Sequence, residues 1–405
     1  MNEDVFAYLD GSPPGGACVG PLAGTRVAIQ PNLSVRGWPT EAGSAALERY
    51  AAMEDAGAVE RLRAAGARIV GSTRMGELGF GLVGDTTAAA LSGGACDAAV
   101  LTDTLGEARC AAATIGAVAV KPSYGIVSRH GLIGLVPSME CLAVVARTVE
   151  QASAVAAALA GPDERDFSML TEGIPDFSRA AAGADGPRAI GVIRECLAGL
   201  EAAEAGALQA ALCGIDEDGV EVREVSLPDF DLFRTVHQVV GSAEASSSGG
   251  KYDSVRYGHR AAGTDNWNEM YIRSRAESFG TLVKAYLFQG AYFQFRNYAA
   301  FEDACRVRRR LVAQTQALFE DVDALVLPTR RAGCDAAAAT TVGEVYDAFA
   351  MTLPANVAGM PAVGLPGFVR CGGADLGLQI VGPHLGDVGL LRLAARLVGA
   401  AKGGR

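Results

Sequence analysis

Several signatures are missing from this sequence. It has no CxxC pair, no HExxH, no GxxxxGK[ST], and no GxGxxG opening a helix after a strand. Zinc, nucleoside-triphosphate and dinucleotide chemistry therefore have no carrier, and no cofactor or metal is expected. Aromatic residues make up only 6% of the 405 positions and charged residues only 20%. The first figure argues against an aromatic-rich β-sandwich, and the low charge excludes disorder for most of the chain. Positive charge is also scarce: 35 Lys and Arg stand against 46 Asp and Glu, a net charge of −11. That balance excludes a broad nucleic-acid-binding face. No apolar run reaches membrane-spanning length. The most tempting stretch, Cys110 to Val120, is closed in by Arg109 and Lys121. The first residues, MNEDVFAYLD, are acidic and lack a signal-peptide pattern. A soluble, cytoplasmic protein is expected, with neither nucleic acid nor membrane as partner. The nine cysteines, at 18, 96, 110, 141, 196, 213, 305, 334 and 371, are an odd number without ligand spacing. They read as reduced thiols serving as small core residues.

What is present is a chain that is 50% hydrophobic, rich in Ala and Gly, and long enough to bury a large core. Residues 24–36 read as a buried strand and a turn. Residues 43–65 place Leu47, Ala51, Ala58, Leu62 and Ala65 on one helical face, and Arg68 to Gly71 reads as a parallel strand. This β-α-β rhythm predicts a sheet covered by helices. Residues 71–107 are rich in Gly, Ala, Thr and Ser without clear periodicity, and such small-residue tracts let backbone approach backbone or ligand closely. Further helices are expected at 147–160, about 201–213 and 298–320, with strands at 189–193, 220–225, 323–328 and 376–382 and a closing helix at 388–399. Pro and Gly punctuate 161–188 as a surface excursion, and 228–297 reads as helical. No internal repeat is visible.

Five blocks then line up in order: 71–81 (GSTRMGELGFG), 102–109 (TDTLGEAR) with 121–131 (KPSYGIVSRHG), 243–260 (AEASSSGGKYDSVRYGHR), 271–280 (YIRSRAESFG), and 352–366 with 376–383. Together they resemble the amidase signature family across roughly residues 24–400. The resemblance implies an α/β/α sandwich with a large, mostly parallel mixed sheet covered by helices. It also implies one domain over 1–405, with a shortened N-terminus and a helical excursion over the core within 161–300. The family's chemistry uses a serine nucleophile, a second serine on a cis peptide that relays the proton, and a buried lysine. Backbone N–H groups before the nucleophile hold the oxyanion. A serine hydroxyl needs such a base, and a tetrahedral oxyanion needs preorganised donors.

Carried over residue by residue, the resemblance puts Gln30 at the lysine position and Glu107 at the nucleophile position. The relay serine falls on Leu91 or Ser92. Thr104, Leu105 and Gly106 form the oxyanion loop, and the retained Asp103 and Arg109 brace it. Among the substrate contacts, Arg308 matches the arginine that holds a carboxylate. Phe349 stands where an acid holds the substrate amine, with Asp347 two residues away, so free glutamine is a doubtful substrate. His259 falls near the pocket lining. Ser92 and Cys110 are candidate stand-in nucleophiles, and His130 reads as structural.

Three functional readings follow. The first is a catalytically divergent, repurposed enzyme acting on a small molecule in the amidase pocket, with Glu107 as acid, base or anchor; a specialised biosynthetic setting suits it. The second is a non-catalytic pseudoamidase that binds a ligand or a partner protein, and a homodimer stays open. The third is an amidase or amidotransferase-type hydrolase with a substitute nucleophile. The expectation drawn here is the first.

Overall fold

The computed structural model describes residues 4–11, 19–177 and 189–403. Cys18 and positions 178–188 of the expected excursion lie outside the described residues. Eleven strands form one sheet: β1 (Phe6–Leu9), β2 (Arg26–Ile29), β3 (Arg68–Thr73), β4 (Ala98–Asp103), β5 (Val118–Lys121), β6 (Cys141–Ala146), β7 (Ala189–Ile193), β8 (Glu221–Val225), β9 (Ala324–Pro328), β10 (Ala362–Leu365) and, after the small β11 (Arg370–Cys371) and β12 (Ala374–Asp375) hairpin, β13 (Leu378–Val381). Their order is β1-β3-β2-β4-β6-β5-β10-β13-β9-β7-β8. The helices are α1 (Gly57–Ala64), α2 (Thr87–Ser92), α3 (Glu107–Thr114), α4 (Val149–Leu159), α5 (Arg194–Ala198), α6 (Ala202–Glu217), α7 (Leu232–Gly249), α8 (Trp267–Ser278), α9 (Thr281–Phe295), α10 (Tyr298–Leu318), α11 (Val342–Ala348), α12 (Leu353–Val357) and α13 (Asp387–Gly403).

The sheet is large and mixed, but it is not mostly parallel. Parallel pairing is confined to two wings, β3-β2-β4 and β9-β7-β8. The six remaining neighbour pairs, including every pair from β4 through β6, β5, β10 and β13 to β9, are antiparallel. The central strands are buried on both faces, so their sequences are continuous apolar runs whichever way they point. Direction is therefore not encoded in their periodicity.

Alternation along each strand divides the core into two layers. Val27 and Ile29, Ala98 and Val100, Leu142 and Val144, Ile190 and Val192 face the side packed by α1, α4, α6 and α13. Ala28, Ala99, Leu101, Ala143 and Val145 face the other side, against α2 and α3. Leu325 and Leu327 join that same side under α7, α9 and α11. The eight cysteines among the described residues are all free.

The helix expected at 43–65 is corrected. Only α1 and a 3-10 turn at Ala45–Leu47 are helical there. Gly43 and Arg49 adopt left-handed backbone, φ 66° and 63°, which an α-helix cannot contain. The Ala51 backbone pairs with Pro39 as an isolated bridge instead. The expected helical stretch 228–297 resolves into α7, α8 and α9, with a loop before α8.

Candidate active site

The site forms where β4 ends and α3 begins. Asp103 closes the strand, Thr104–Gly106 turn, and Glu107 is the first residue of the helix. Gly106 turns with φ 127°, and a Cβ there would stand 2.1 Å from Thr352 Oγ1, so no other residue fits. Thr352 Oγ1 fills that space, and its single hydrogen is shared between Leu105 O at 2.5 Å and Phe349 O at 2.8 Å.

A buried polar hub holds the loop from behind. Arg109 and Asp103 are both 0% exposed and form a two-toothed ion pair, Nη2 to Oδ1 at 2.8 Å and Nε to Oδ2 at 3.2 Å. Arg109 also donates to Thr352 O (3.0 Å), to Gln379 Oε1 (2.7 Å) and to Asn356 Oδ1. Asn356 Nδ2 returns donations to Asp103 O (2.8 Å) and Oδ1 (3.0 Å). Burial alone would raise the Asp103 carboxyl, but the Arg109 charge and hydrogen bond, with Lys121 and Asn356, hold it below the usual range. A buried charge is tolerable only when saturated in this way.

In front of the hub the loop presents its donors. The backbone N–H groups of Thr104, Leu105 and Gly106 converge on one oxygen, Glu107 Oε2, at 2.7, 2.8 and 3.1 Å. Gly81 N approaches Oε1 at 3.4 Å. Three amides aimed at one point form the geometry that a tetrahedral oxyanion requires. Here the oxygen they hold belongs to a side chain that is 2% exposed. Burial, and then the Asp103 charge, push the Glu107 carboxyl up to about 7 against the pull of those hydrogen bonds.

The structure brings Gln30 close to this loop. Its Oε1 accepts from Thr102 N (3.0 Å) and Oγ1 (2.8 Å), and its Nε2 donates to Asp85 Oδ2 (2.7 Å). Asn32 Nδ2 donates to the same Thr102 hydroxyl at 3.1 Å. Phe349 also belongs to the neighbourhood. It is fully buried, and its ring lies 3.8 Å from where a Gly81 Cβ would stand.

Other residues singled out in the sequence are engaged elsewhere. Leu91 is buried in the apolar cluster that contains Ala108 and Ala112. Ser92 is exposed at the end of α2, its Oγ 3.4 Å from Ala89 O. Arg308 ties α10 to α12 and to the loop before β6, donating to Val357 O (3.0 Å), Ser138 Oγ (2.7 Å) and Ser138 O (2.8 Å). His259 pairs with Glu277 at 2.6 Å near the surface, and Asp347 pairs with Arg234. Burial pushes the Cys110 thiol up to about 12, so it holds its proton.

One residue of the site escaped the sequence reading. His237, on α7, is fully buried and reaches Thr104 O with Nε2 at 2.9 Å and the Tyr346 hydroxyl with Nδ1 at 3.0 Å. Tyr346 OH lies 2.9 Å from Tyr286 OH. His237 was one more residue of a helical stretch in the sequence. Its only local signal is a histidine one place from Val236 on the apolar face that carries Phe233 and Val240.

With the geometry in place, the relatives are informative. The A subunit of glutamyl-tRNA(Gln) amidotransferase from Haloarcula marismortui is 35% identical over 94% of this chain and 96% of its own length. Its counterpart from Symbiobacterium thermophilum is 34% identical over 93% of this chain and 82% of its own. Among solved structures, the A subunit of glutamyl-tRNA(Gln) amidotransferase from Thermotoga maritima matches with a TM-score of 0.79 at 25% identity, covering 98% of this chain and 88% of that one. An amidase crystal structure matches with a TM-score of 0.77 at 26% identity, covering 98% and 92%. These matches correct the expectation of a repurposed or non-catalytic relative. Over nearly its whole length the chain matches amidotransferase A subunits, which tells against a divergent pseudoenzyme. The amidase family model matches residues 5–88 and 87–391, and the chain therefore belongs to the amidase family.

Proposed function

We propose that this chain works as the A-type component of an amidotransferase, acting on an amide C–N bond at the 104–106 loop beside companion proteins. The convergence of three loop N–H groups on one oxygen carries the reading, and the relatives' names supply the substrate class. An entering amide carbonyl oxygen takes the place of Glu107 Oε2 on those donors, and the displaced carboxyl stays adjacent. With a proton affinity near neutrality, Glu107 is matched to general acid–base work. Its carboxylate takes a proton from water, and the water oxygen bonds to the amide carbon. The resulting oxyanion rests on the loop. As the C–N bond breaks, the leaving nitrogen takes the proton back from Glu107, giving a carboxylic acid and an amine or ammonia. Gln30 and Glu107 hold the lysine and nucleophile positions in this reading, and the relay position, Leu91 or Ser92, contributes no group to the step, since Leu91 is buried among apolar side chains and Ser92 is exposed. Asp103 and Arg109 maintain the loop.

The test is release of ammonia or amine from a panel of amides, by the chain alone and reconstituted with companion subunits of a related amidotransferase. Turnover that falls at least about 100-fold in Glu107→Gln supports the reading. No cleavage under either condition, with folded protein, overturns it.

A further inference from the structure

Burial, hydrogen-bond direction and chain geometry meet in one feature outside the loop itself. We propose that Tyr286, Tyr346 and His237 form a one-way hydrogen-bond chain that sets the donor strength of the 104–106 loop, with His237 as a positioning residue. The inference deepens the amide-handling reading and depends on it for its catalytic meaning.

The directions are fixed by elimination. Thr104 O can only accept, so His237 Nε2, 2.9 Å away, carries the hydrogen. Burial pushes the imidazole down to about 4, so the ring is neutral and Nδ1 is bare. Nδ1 must therefore accept from the Tyr346 hydroxyl at 3.0 Å. With its own hydrogen spent, the Tyr346 oxygen accepts from Tyr286 at 2.9 Å. All three side chains are 0% exposed, so water does not compete. The fold makes room for the chain: a Cβ on Gly241 would stand 2.5 Å from Tyr286 OH. Phe80 stacks on the Tyr286 ring with centroids 4.2 Å apart.

The consequence passes through one peptide group. Thr104 O and Leu105 N–H belong to the same amide, so a donor on the carbonyl polarises the N–H and strengthens it. That N–H is 2.8 Å from Glu107 Oε2. His237 touches no position that a substrate would occupy; it acts through Leu105. A chain that merely glued α7, α9 and α11 to the loop would affect stability and leave the electrostatics of Glu107 unchanged. The charged and titratable groups around Glu107 are Asp103 on β4, Cys110 on α3, Tyr286 on α9 and Tyr346 on α11.

Difference infrared spectroscopy on the full chain tests this. The protonated Glu107 carbonyl band, assigned by its loss in Glu107→Gln, is followed against pH. Cutting the chain in His237→Leu or Tyr346→Phe weakens one carboxylate donor, so the Glu107 midpoint moves up by about half a pH unit or more. His237→Gln, which keeps an N–H at the same reach, restores most of the wild-type midpoint. If His237→Leu does not fold, Tyr346→Phe decides alone. An unchanged midpoint in the folded variants overturns the proposal. Because this readout needs no turnover, a shifted midpoint with no amide cleavage would sink the functional reading and leave the hydrogen-bond chain standing.

Discussion

Asp103 and Glu107 lie four residues apart, at either end of one loop, and both carboxyls are buried. Asp103 is embraced by a guanidinium and an amide and stays ionised below the ordinary carboxylate range. Glu107 is held by backbone N–H groups beside the like charge of Asp103, and is pushed up to about 7. Burial is common to both; the presence of a cation separates them. The pair shows how surroundings separate two buried carboxyls: the one paired with an arginine is held ionised, and the one held by backbone dipoles beside a like charge is pushed toward its protonated form.

The largest effect should come from stripping the first carboxylate of its partner. Arg109→Leu leaves Asp103 charged and buried, and leaves acceptors on Thr352, Asn356 and Gln379 unpaired. A loss of about 3–5 kcal/mol in urea unfolding is expected, and a loss under 1 would erase the contrast. Next is the pH dependence of Glu107. Its folded value near 7 exceeds its ordinary 4.5, so folding favours the proton. This contribution is fully present below about pH 4.5 and is lost as pH rises through 7. Glu107→Gln should therefore be more stable than wild type by about 3 kcal/mol at pH 8 and lose that advantage near pH 4.5. A constant difference across pH would show that Glu107 is not raised. Gly106→Ala should cost about 2 kcal/mol through the left-handed backbone and the collision with Thr352. Measured unfolding midpoints and the Glu107 titration should both respond. The smallest effect is expected outside the loop: Ser92→Ala, at an exposed helix end, should change stability by no more than about 0.5 kcal/mol.

The legible parts of the molecule were those written locally. The 189–193 strand, the strand ending at Pro328 and the long helix from Tyr298 each fall where apolar periodicity put them. The loop's make-up was local too: Asp103, Glu107 and Arg109 lie within seven residues, and the structure pairs Arg109 with Asp103 behind the turn. What the sequence did not disclose depended on distant partners. His237 meets Thr104 across 133 positions and Tyr346 across 109, and no local pattern distinguishes it from an ordinary core histidine. Strand direction was hidden because strands covered on both faces are apolar throughout. The 43–65 helix was misread because alanine composition says nothing of the left-handed turns at Gly43 and Arg49. The functional inference erred in another way. The three substituted positions point away from the family's chemistry, while relatives matching nearly the whole chain are amidotransferase subunits.

The most direct test of the paired-carboxylate account is a pH titration of both groups in the wild-type chain, by carboxyl infrared bands assigned with Glu107→Gln and Asp103→Asn. The account predicts that Glu107 takes up its proton with a midpoint near 7 while Asp103 stays ionised below its ordinary value of 3.8. A Glu107 midpoint at the ordinary 4.5, or Asp103 protonating before Glu107, would contradict it.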